Sequence, residues 1–392
     1  MLYIACGAHD HGRMRPPPPS PLQALRLALV CLAVAACEHS APGDVRGPQD
    51  VGPFSPDLPR RLTFHAGDDW TPSVSGSTLV YARQGSSYPS NYGTWGREQC
   101  IAFLPVEGGT IRSELCPHRL LPTADTLVHT WIEPVLSPDG RRIAFVWQRG
   151  PNVGELAFND VFLVVVPVER PADTTQVRHR VIWTRPAVPN PIRADMATRI
   201  TWADSSRLRF LATDEHIFKL KAGGEGRVTD TIFEPLALME LDLATGTSRL
   251  VPGGDSALAY APAPDGGIWL VRASDPAALL RLDPATGVAT PAGRFSSAVV
   301  DLIAVEGGVV AIVDPIREPA SDESRTLVYI VRGGAGLERL DPGTGELLPI
   351  TNPLGPVRRL AAVPGRRLFV VEVEPELRSF GVPPDLWLFG LP

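Results

Sequence analysis

Two turn motifs recur along this chain, with strand-like apolar runs between them. They predict an all-β fold: a six-bladed β-propeller of four-stranded antiparallel blades, closed by pairing of the N- and C-terminal strands. The first motif is clearest at Ser137-Pro138-Asp139-Gly140. Proline presets φ for a turn, and glycine supplies the left-handed position that closes a tight hairpin. The residues that follow alternate, with Ile143, Phe145 and Trp147 on one side and Ala144 and Val146 on the other. That is a strand pattern.

Weaker copies of this turn-and-strand unit give turn positions at 76, 140, 205, 266, 307 and 365, so the copies lie 41 to 65 residues apart. The second motif reads Leu241-Asp242-Leu243-Ala244-Thr245-Gly246, and returns as Leu282 to Gly287 and Leu340 to Gly345. Each copy follows one apolar run and precedes another. The unit is therefore strand, turn, strand, a variable link, and strand, turn, strand again. Runs such as Val161 to Val166 are apolar on both faces, which stacked sheets require because each is covered on both sides. At the two ends, Arg60 to His65 and Asp385 to Gly390 each read as a lone strand. Pairing them completes a ring and removes two open edges.

The string from Ser137 to Phe145 resembles the repeat of TolB-like, WD40-like propellers. The resemblance covers the architecture of residues 58–392. It implies a fold and not an activity, because the matching residues are turn and packing residues. That family usually carries a separate α/β domain before its propeller, and this chain has no room for one.

The N-terminus reads as an address. Arg13, Arg15 and Arg26 precede the apolar run Leu27 to Ala36, which is too short to span a bilayer. The run ends in Val34-Ala35-Ala36-Cys37, which resembles the bacterial lipobox. The resemblance implies diacylation of Cys37 and a lipid-anchored protein of the bacterial cell envelope, at the periplasmic face or the cell surface. A plain signal peptide cut near Ala36 is the rival reading, and Met14 is a second candidate start. Residues 1–37 are thus a lipoprotein signal peptide, and 38–57 a Pro/Gly/Ser-rich flexible linker to the propeller at 58–392.

Two of the five cysteines lie beyond the leader, Cys100 and Cys116. Their midpoint is Gly108, inside the turn-like Glu107-Gly108-Gly109. Residues equidistant from a hairpin turn face each other, so the two sulfurs are placed to bridge across the strands, as an oxidising compartment allows. Two unpaired buried thiols are the alternative.

Net charge is −6 with no basic stripe, which argues against nucleic-acid binding. Lysine occurs only at 219 and 221, which leaves an amine nucleophile almost nowhere to be. No serine elbow, zinc-protease, phosphate-loop or haem motif is present. The six histidines beyond the leader, at 39, 65, 118, 129, 179 and 216, are scattered over different units. No catalytic residue, metal site or cofactor is assigned.

Asp68-Asp69-Trp70 reads as a turn cap with a packed tryptophan, and alternatively as a contact at a channel mouth. Glu133 and Glu234, each followed by proline, read as loop carboxylates. Asp314 to Arg325 reads as a charged solvated loop, and His216 to Ile232 as a protruding hairpin. The segment Gln84 to Gln99 carries Tyr88, Tyr92 and Trp95 among glycines and serines, a composition suited to binding surfaces and equally to a surface insertion. The function expected is a protein-binding or scaffold module with envelope proteins as partners. A metal-dependent lyase or lactonase acting on a carbohydrate or lactone is the alternative.

Overall fold

The computed structural model describes residues 58–64, 69–84, 99–116, 127–151, 160–168, 196–222, 225–320, 328–373 and 385–391. The chain divides into two compact units, Met1–Asp44 and Val45–Pro392, and every described residue lies in the second.

The described elements are all strands, arranged as successive antiparallel meanders in a propeller-like array. The first is β2 (Asp69–Ser75), β3 (Thr78–Gln84), β4 (Gln99–Pro105) and β5 (Ser113–Leu115). The second is β6 (Leu127–Leu136), β7 (Arg142–Pro151) and β8 (Asp160–Pro167). The third is β9 (Met196–Trp202), β10 (Arg207–Ala222), β11 (Glu225–Asp242) and β12 (Thr247–Asp255). The fourth is β13 (Ala257–Pro262), β14 (Ile268–Arg272), β15 (Asp275–Leu282) and β16 (Ala289–Arg294).

An eight-stranded sheet holds the remaining strands. It contains the run β17 (Val299–Val305), β18 (Gly308–Ala320), β19 (Val328–Leu340) and β20 (Leu347–Ile350). It also contains β21 (Val357–Ala362), β22 (Leu368–Val373) and β23 (Asp385–Gly390), with β1 (Arg60–Arg61) beside β23. The two runs share a single paired position, Gly334 with Val357.

The tight turns follow from their residues. Gly140 sits at φ 68°, its N–H donating to the Ser137 carbonyl at 2.8 Å. The Ser137 hydroxyl oxygen in turn accepts the Arg142 N–H at 2.9 Å. The second motif repeats one geometry three times. Asp242, Asp283 and Asp341 each accept the N–H two residues on through Oδ1, at 2.8, 2.9 and 2.8 Å. Gly246, Gly287 and Gly345 then supply positive φ.

The core consists of seams between neighbouring meanders, as alternation on two-sided sheets dictates. Ile143, Phe145 and Trp147 pack with Val80, Ile101 and Phe103 of the first meander, while Ala144 and Val146 face Leu208 and Phe210 of the third. Further seams join the third meander to the fourth and the fourth to the β17–β20 run. Two more join β17–β20 to β21–β23, and β21–β23 back to the first meander.

The terminal strands meet as the alternation of lone strands suggested. Arg60 pairs with Leu388 and Arg61 with Trp387, and Leu62 donates to the Leu386 carbonyl at 2.8 Å. One expectation is corrected. Asp314 to Ala320 is strand and not loop, because β18 continues past its sheet and pairs with β19 as far as Ala320 with Val328.

Candidate functional site

The first strands of the meanders, β2, β6, β9, β13, β17 and β21, share an irregularity. Each carries one extra residue against its partner strand, at Thr71–Pro72, Glu133–Pro134, Arg199–Ile200, Leu258, Val300 and Arg358. Such bulges re-aim side chains and free backbone N–H groups. Three bulge residues hold left-handed backbone without being glycine: Thr71 (φ 47°), Glu133 (φ 54°) and Arg199 (φ 58°). Strain of this kind persists only where surrounding structure over-determines it.

Polar groups on and beside these strands bond the meanders to one another, across neighbours and beyond them. Thr71 N–H donates to Glu372 Oε2 at 2.8 Å. Glu133 N–H donates to Thr71 Oγ1 at 3.2 Å, and Arg199 N–H to Glu133 Oε2 at 3.0 Å. Tyr260 donates its hydroxyl to the Arg199 carbonyl at 2.6 Å, and Leu360 N–H donates to Asp301 Oδ2 at 2.7 Å. Arg199 pairs with Asp301, and Arg359 Nη2 pairs with Glu133 Oε1 at 2.8 Å. Arg199 Nη2 also reaches the Arg358 carbonyl at 3.4 Å.

Burial decides the electrostatics. Asp301 is 1% exposed and Glu372 3%. Burial raises the Asp301 carboxyl above the usual range, against the opposing pull of Arg199. Burial also raises Glu372, with Arg358 opposing. It lowers Arg199 to about 10, helped by the like charge of Arg359, so this guanidinium stays charged at neutral pH. Burial disfavours charge on Arg359 too, but Glu133, Asp301 and Glu372 outweigh it and hold the group above its ordinary value.

Thr71, Asp301 and Arg359 are third in their strands, and Arg199 and Tyr260 fourth. Arg199 lies at the midpoint of its strand, and Tyr260 and Glu133 lie beyond theirs, whereas Thr71, Asp301 and Arg359 lie in the half nearer the end where each first strand begins. Antiparallel order places the second-to-third-strand connections at that end, and the first-to-second turns at the other. The turns number two to five residues in every meander. The connections are longer. Residues 85–98 separate β3 from β4, 152–159 separate β7 from β8, and 374–384 separate β22 from β23. The pairs β10/β11 and β18/β19 run past their sheets as two-stranded arms, to Ala222 with Glu225 and to Ala320 with Val328. Only β14 to β15 is short there.

The residues singled out in the sequence fall unevenly on this frame. Cys100 and Cys116 stand opposite each other, Cα to Cα 4.4 Å, with sulfurs at bonding distance. The β4/β5 register pairs Ile101 with Leu115 and Ala102 with Glu114, which continues to the cysteines. Tyr88, Tyr92 and Trp95 lie outside the described residues, between β3 and β4, as do Cys37 and the linker at 38–57. Asp69 is fully buried at the start of β2. The arm β10/β11 matches the protruding hairpin expected from His216 to Ile232. Glu133 corrects a second expectation, since it stands on β6 as a buried partner of Arg359 and not in a loop. Glu234 also lies within a strand, β11. Sequence reading missed Arg199, Asp301, Arg359, Glu372 and Tyr260. Their one signal is a charged or phenolic residue early in a short apolar run, as in Val299-Val300-Asp301-Leu302-Ile303.

No family model matches the chain, and no curated protein is similar to it. Solved structures similar to it include a puromycin hydrolase, at 17% identity and TM-score 0.43, covering 79% of this chain and 50% of that one. A Pyrococcus horikoshii acylaminoacyl peptidase matches at 14% identity and TM-score 0.42, covering 82% of this chain and 51% of that one. The β-propeller domain of the Trilobed protease from Pyrococcus furiosus matches at 11% identity and TM-score 0.39, covering 82% and 95%. The chain spans about half the length of the puromycin hydrolase and the acylaminoacyl peptidase. At these scores the propeller-like arrangement rests on this chain's own sheets and seams.

Proposed function

We propose that this chain is an exported, lipid-anchored six-bladed propeller of the TolB-like kind that binds envelope proteins at the end carrying its long connections. The count of six is supported by the seams, which lead from the first meander through each neighbour and back to the first. β1 then supplies the outermost strand of the blade that β21 begins.

The observation that carries the binding role is the asymmetry of the two ends. One carries turns of two to seven residues between neighbouring described strands, and the other carries three connections of eight to fourteen residues and two two-stranded arms. Loops raised on a rigid scaffold are where recognition concentrates. The segment holding Tyr88, Tyr92 and Trp95 leaves β3 and enters β4 at that same end, and aromatic residues dominate interface energetics.

An enzyme of the metal-dependent lyase or lactonase type would need carboxylate lone pairs open toward a cation. Glu133 and Asp301 give theirs to guanidinium and backbone donors instead. This favours the binding role.

The test is capture of envelope proteins by crosslinking in the native compartment. Replacing Tyr88, Tyr92 and Trp95 together by alanine is expected to cut capture of a given partner at least about tenfold, equivalent to roughly 1.4 kcal/mol. Unchanged capture refutes the role of this segment. Mass spectrometry of the mature N-terminus tests the anchor separately, and an unmodified N-terminus downstream of Cys37 removes it.

A further inference from the structure

The polar cluster on the first strands has an unequal supply of donors and acceptors. Asp301 Oδ1 accepts the Leu302 N–H at 2.8 Å, while Oδ2 takes the Leu360 N–H and the Arg199 guanidinium. Both oxygens of Glu133 are likewise engaged, one by Arg359 and one by the Arg199 N–H.

The guanidiniums are not matched in the same way. Each brings five N–H donors and no acceptor. Arg199 places its donors on Asp301 and the Arg358 carbonyl, and Arg359 places only Nη2, on Glu133. Nε and Nη1 of Arg359 have no partner among the described residues. They are not sealed in, since 25% of the Arg359 side chain and 13% of that of Arg199 remain solvent-accessible.

We propose that this cluster is a binding site for a small oxyanion, a carboxylate or a tetrahedral anion, held by Arg359 with Arg199, and that Glu133 is the internal counter-ion with which it competes. An oxyanion brings acceptors and no donors, which is what the cluster lacks. Arg359 offers the planar fork that matches such groups. The left-handed backbone at Thr71, Glu133 and Arg199 fits a site held in one preset geometry. Arg199, Arg358 and Arg359 face Glu133, Asp301 and Glu372, so the cluster starts near charge balance. Affinity is therefore modest until one carboxylate is neutralised. This inference stands apart from the protein-binding role, because it uses sheet residues and none of the long connections.

The experiment is titration of the full mature chain with sodium sulfate and, separately, sodium acetate. Calorimetry and thermal shift give the readout, with sodium chloride holding ionic strength constant. Saturable binding of at least one anion is expected in the parent. Arg359→Gln is expected to abolish it, and Glu133→Gln to tighten it about fivefold or more, since the competing charge is gone while an acceptor oxygen remains. Sulfate binding without acetate binding assigns a tetrahedral ligand, and the reverse assigns a carboxylate. No saturable binding in the parent, meaning hydration only, overturns the proposal. So does equal binding by Arg359→Gln with a parental circular-dichroism spectrum. If Arg359→Gln does not fold, Glu133→Gln decides alone, and unchanged affinity in that variant overturns the competition.

Discussion

The short-turn end and the polar cluster of this molecule solve opposite electrostatic problems with the same residue types. At the turns, aspartates such as Asp242, Asp283 and Asp341 stand in water and accept backbone N–H groups within their own hairpin. Those bonds hold their carboxyls below the usual range. In the cluster, Asp301 and Glu372 accept backbone N–H groups from a different meander, and burial raises them. Local bonding in water makes a carboxylate comfortable as an anion. Bonding across a buried seam holds the ring together at the cost of desolvating the charge.

That contrast ranks substitutions. The harshest break is at the seam that closes the array. Deleting Asp385–Pro392 removes β23 and takes Leu386, Leu388, Phe389 and Leu391 out of two seams. It also leaves β1 and β22 with open edges. Loss of the cooperative unfolding transition is expected by circular dichroism. A truncated chain that melts like its parent would show that the closure contributes little.

Asp301→Ala comes next. It strands the buried Arg199 charge and the Leu360 N–H, and removing one partner of a buried pair costs about 3–5 kcal/mol. Asp283→Ala, the counterpart at a turn, is expected to shift the unfolding midpoint only slightly, because water replaces the lost acceptor. Urea titration of the two variants compares them directly, and equal losses would erase the distinction between seam and turn.

Sequence disclosed the two regions to different degrees, for a physical reason. Turns are local, so Pro138, Asp139 and Gly140 declare themselves within four residues. Strand alternation is local as well, and the division of Ile143, Phe145 and Trp147 from Ala144 and Val146 between two seams follows from it. The cysteine pairing was legible because one hairpin sets its register. The cluster is not local. Glu133 and Arg359 lie 226 residues apart, and Thr71 and Glu372 lie 301 apart. Nothing in the neighbourhood of Glu133-Pro134 distinguishes a loop carboxylate from a bulge carboxylate aimed at a distant arginine. The bulges carry no residue type common to all either, being Thr-Pro, Glu-Pro and Arg-Ile in the first three meanders.

A disulfide on outer strands sharpens the contrast between local and long-range ties. Cys100 and Cys116 are 16 residues apart, and closing a loop of that size contributes about 3 kcal/mol in the chain-entropy model. Reduction is expected to lower stability by about that amount while the seams keep the fold, since the bridge ties only β4 to the end of β5. Free-thiol titration with and without reductant, followed by thermal melts, measures both. Two thiols titrating without reductant would remove the bridge.

The smallest expected effect is on pH dependence, where the two regions carry opposite signs. A carboxyl held below its ordinary pKa stabilises the fold above that value and loses its contribution as pH falls toward the lowered one. Asp204 is the clearest case, brought down to about 2 despite burial by bonds from Ser206 and Arg207. Its contribution therefore disappears between the ordinary aspartate value of about 3.9 and that lower value. A carboxyl raised by burial behaves in reverse. Its contribution is complete below the ordinary value and is lost as pH rises through the raised one, which describes Asp301 and Glu372. Acidification from neutrality is thus expected to raise stability through the cluster, as pH falls through the raised values, before the turns begin to lose theirs below about pH 4. Glu372→Gln keeps an acceptor for the Thr71 N–H but cannot ionise, so it is expected to flatten the rise above about pH 4.3, the ordinary glutamate value. Asp204→Asn is expected to leave that rise intact and soften the acid limb instead. Urea midpoints measured across the range separate the two limbs. A Glu372→Gln curve parallel to the parent above about pH 4.3 would mean that burial does not govern this carboxyl, and that seam and turn differ in reach alone.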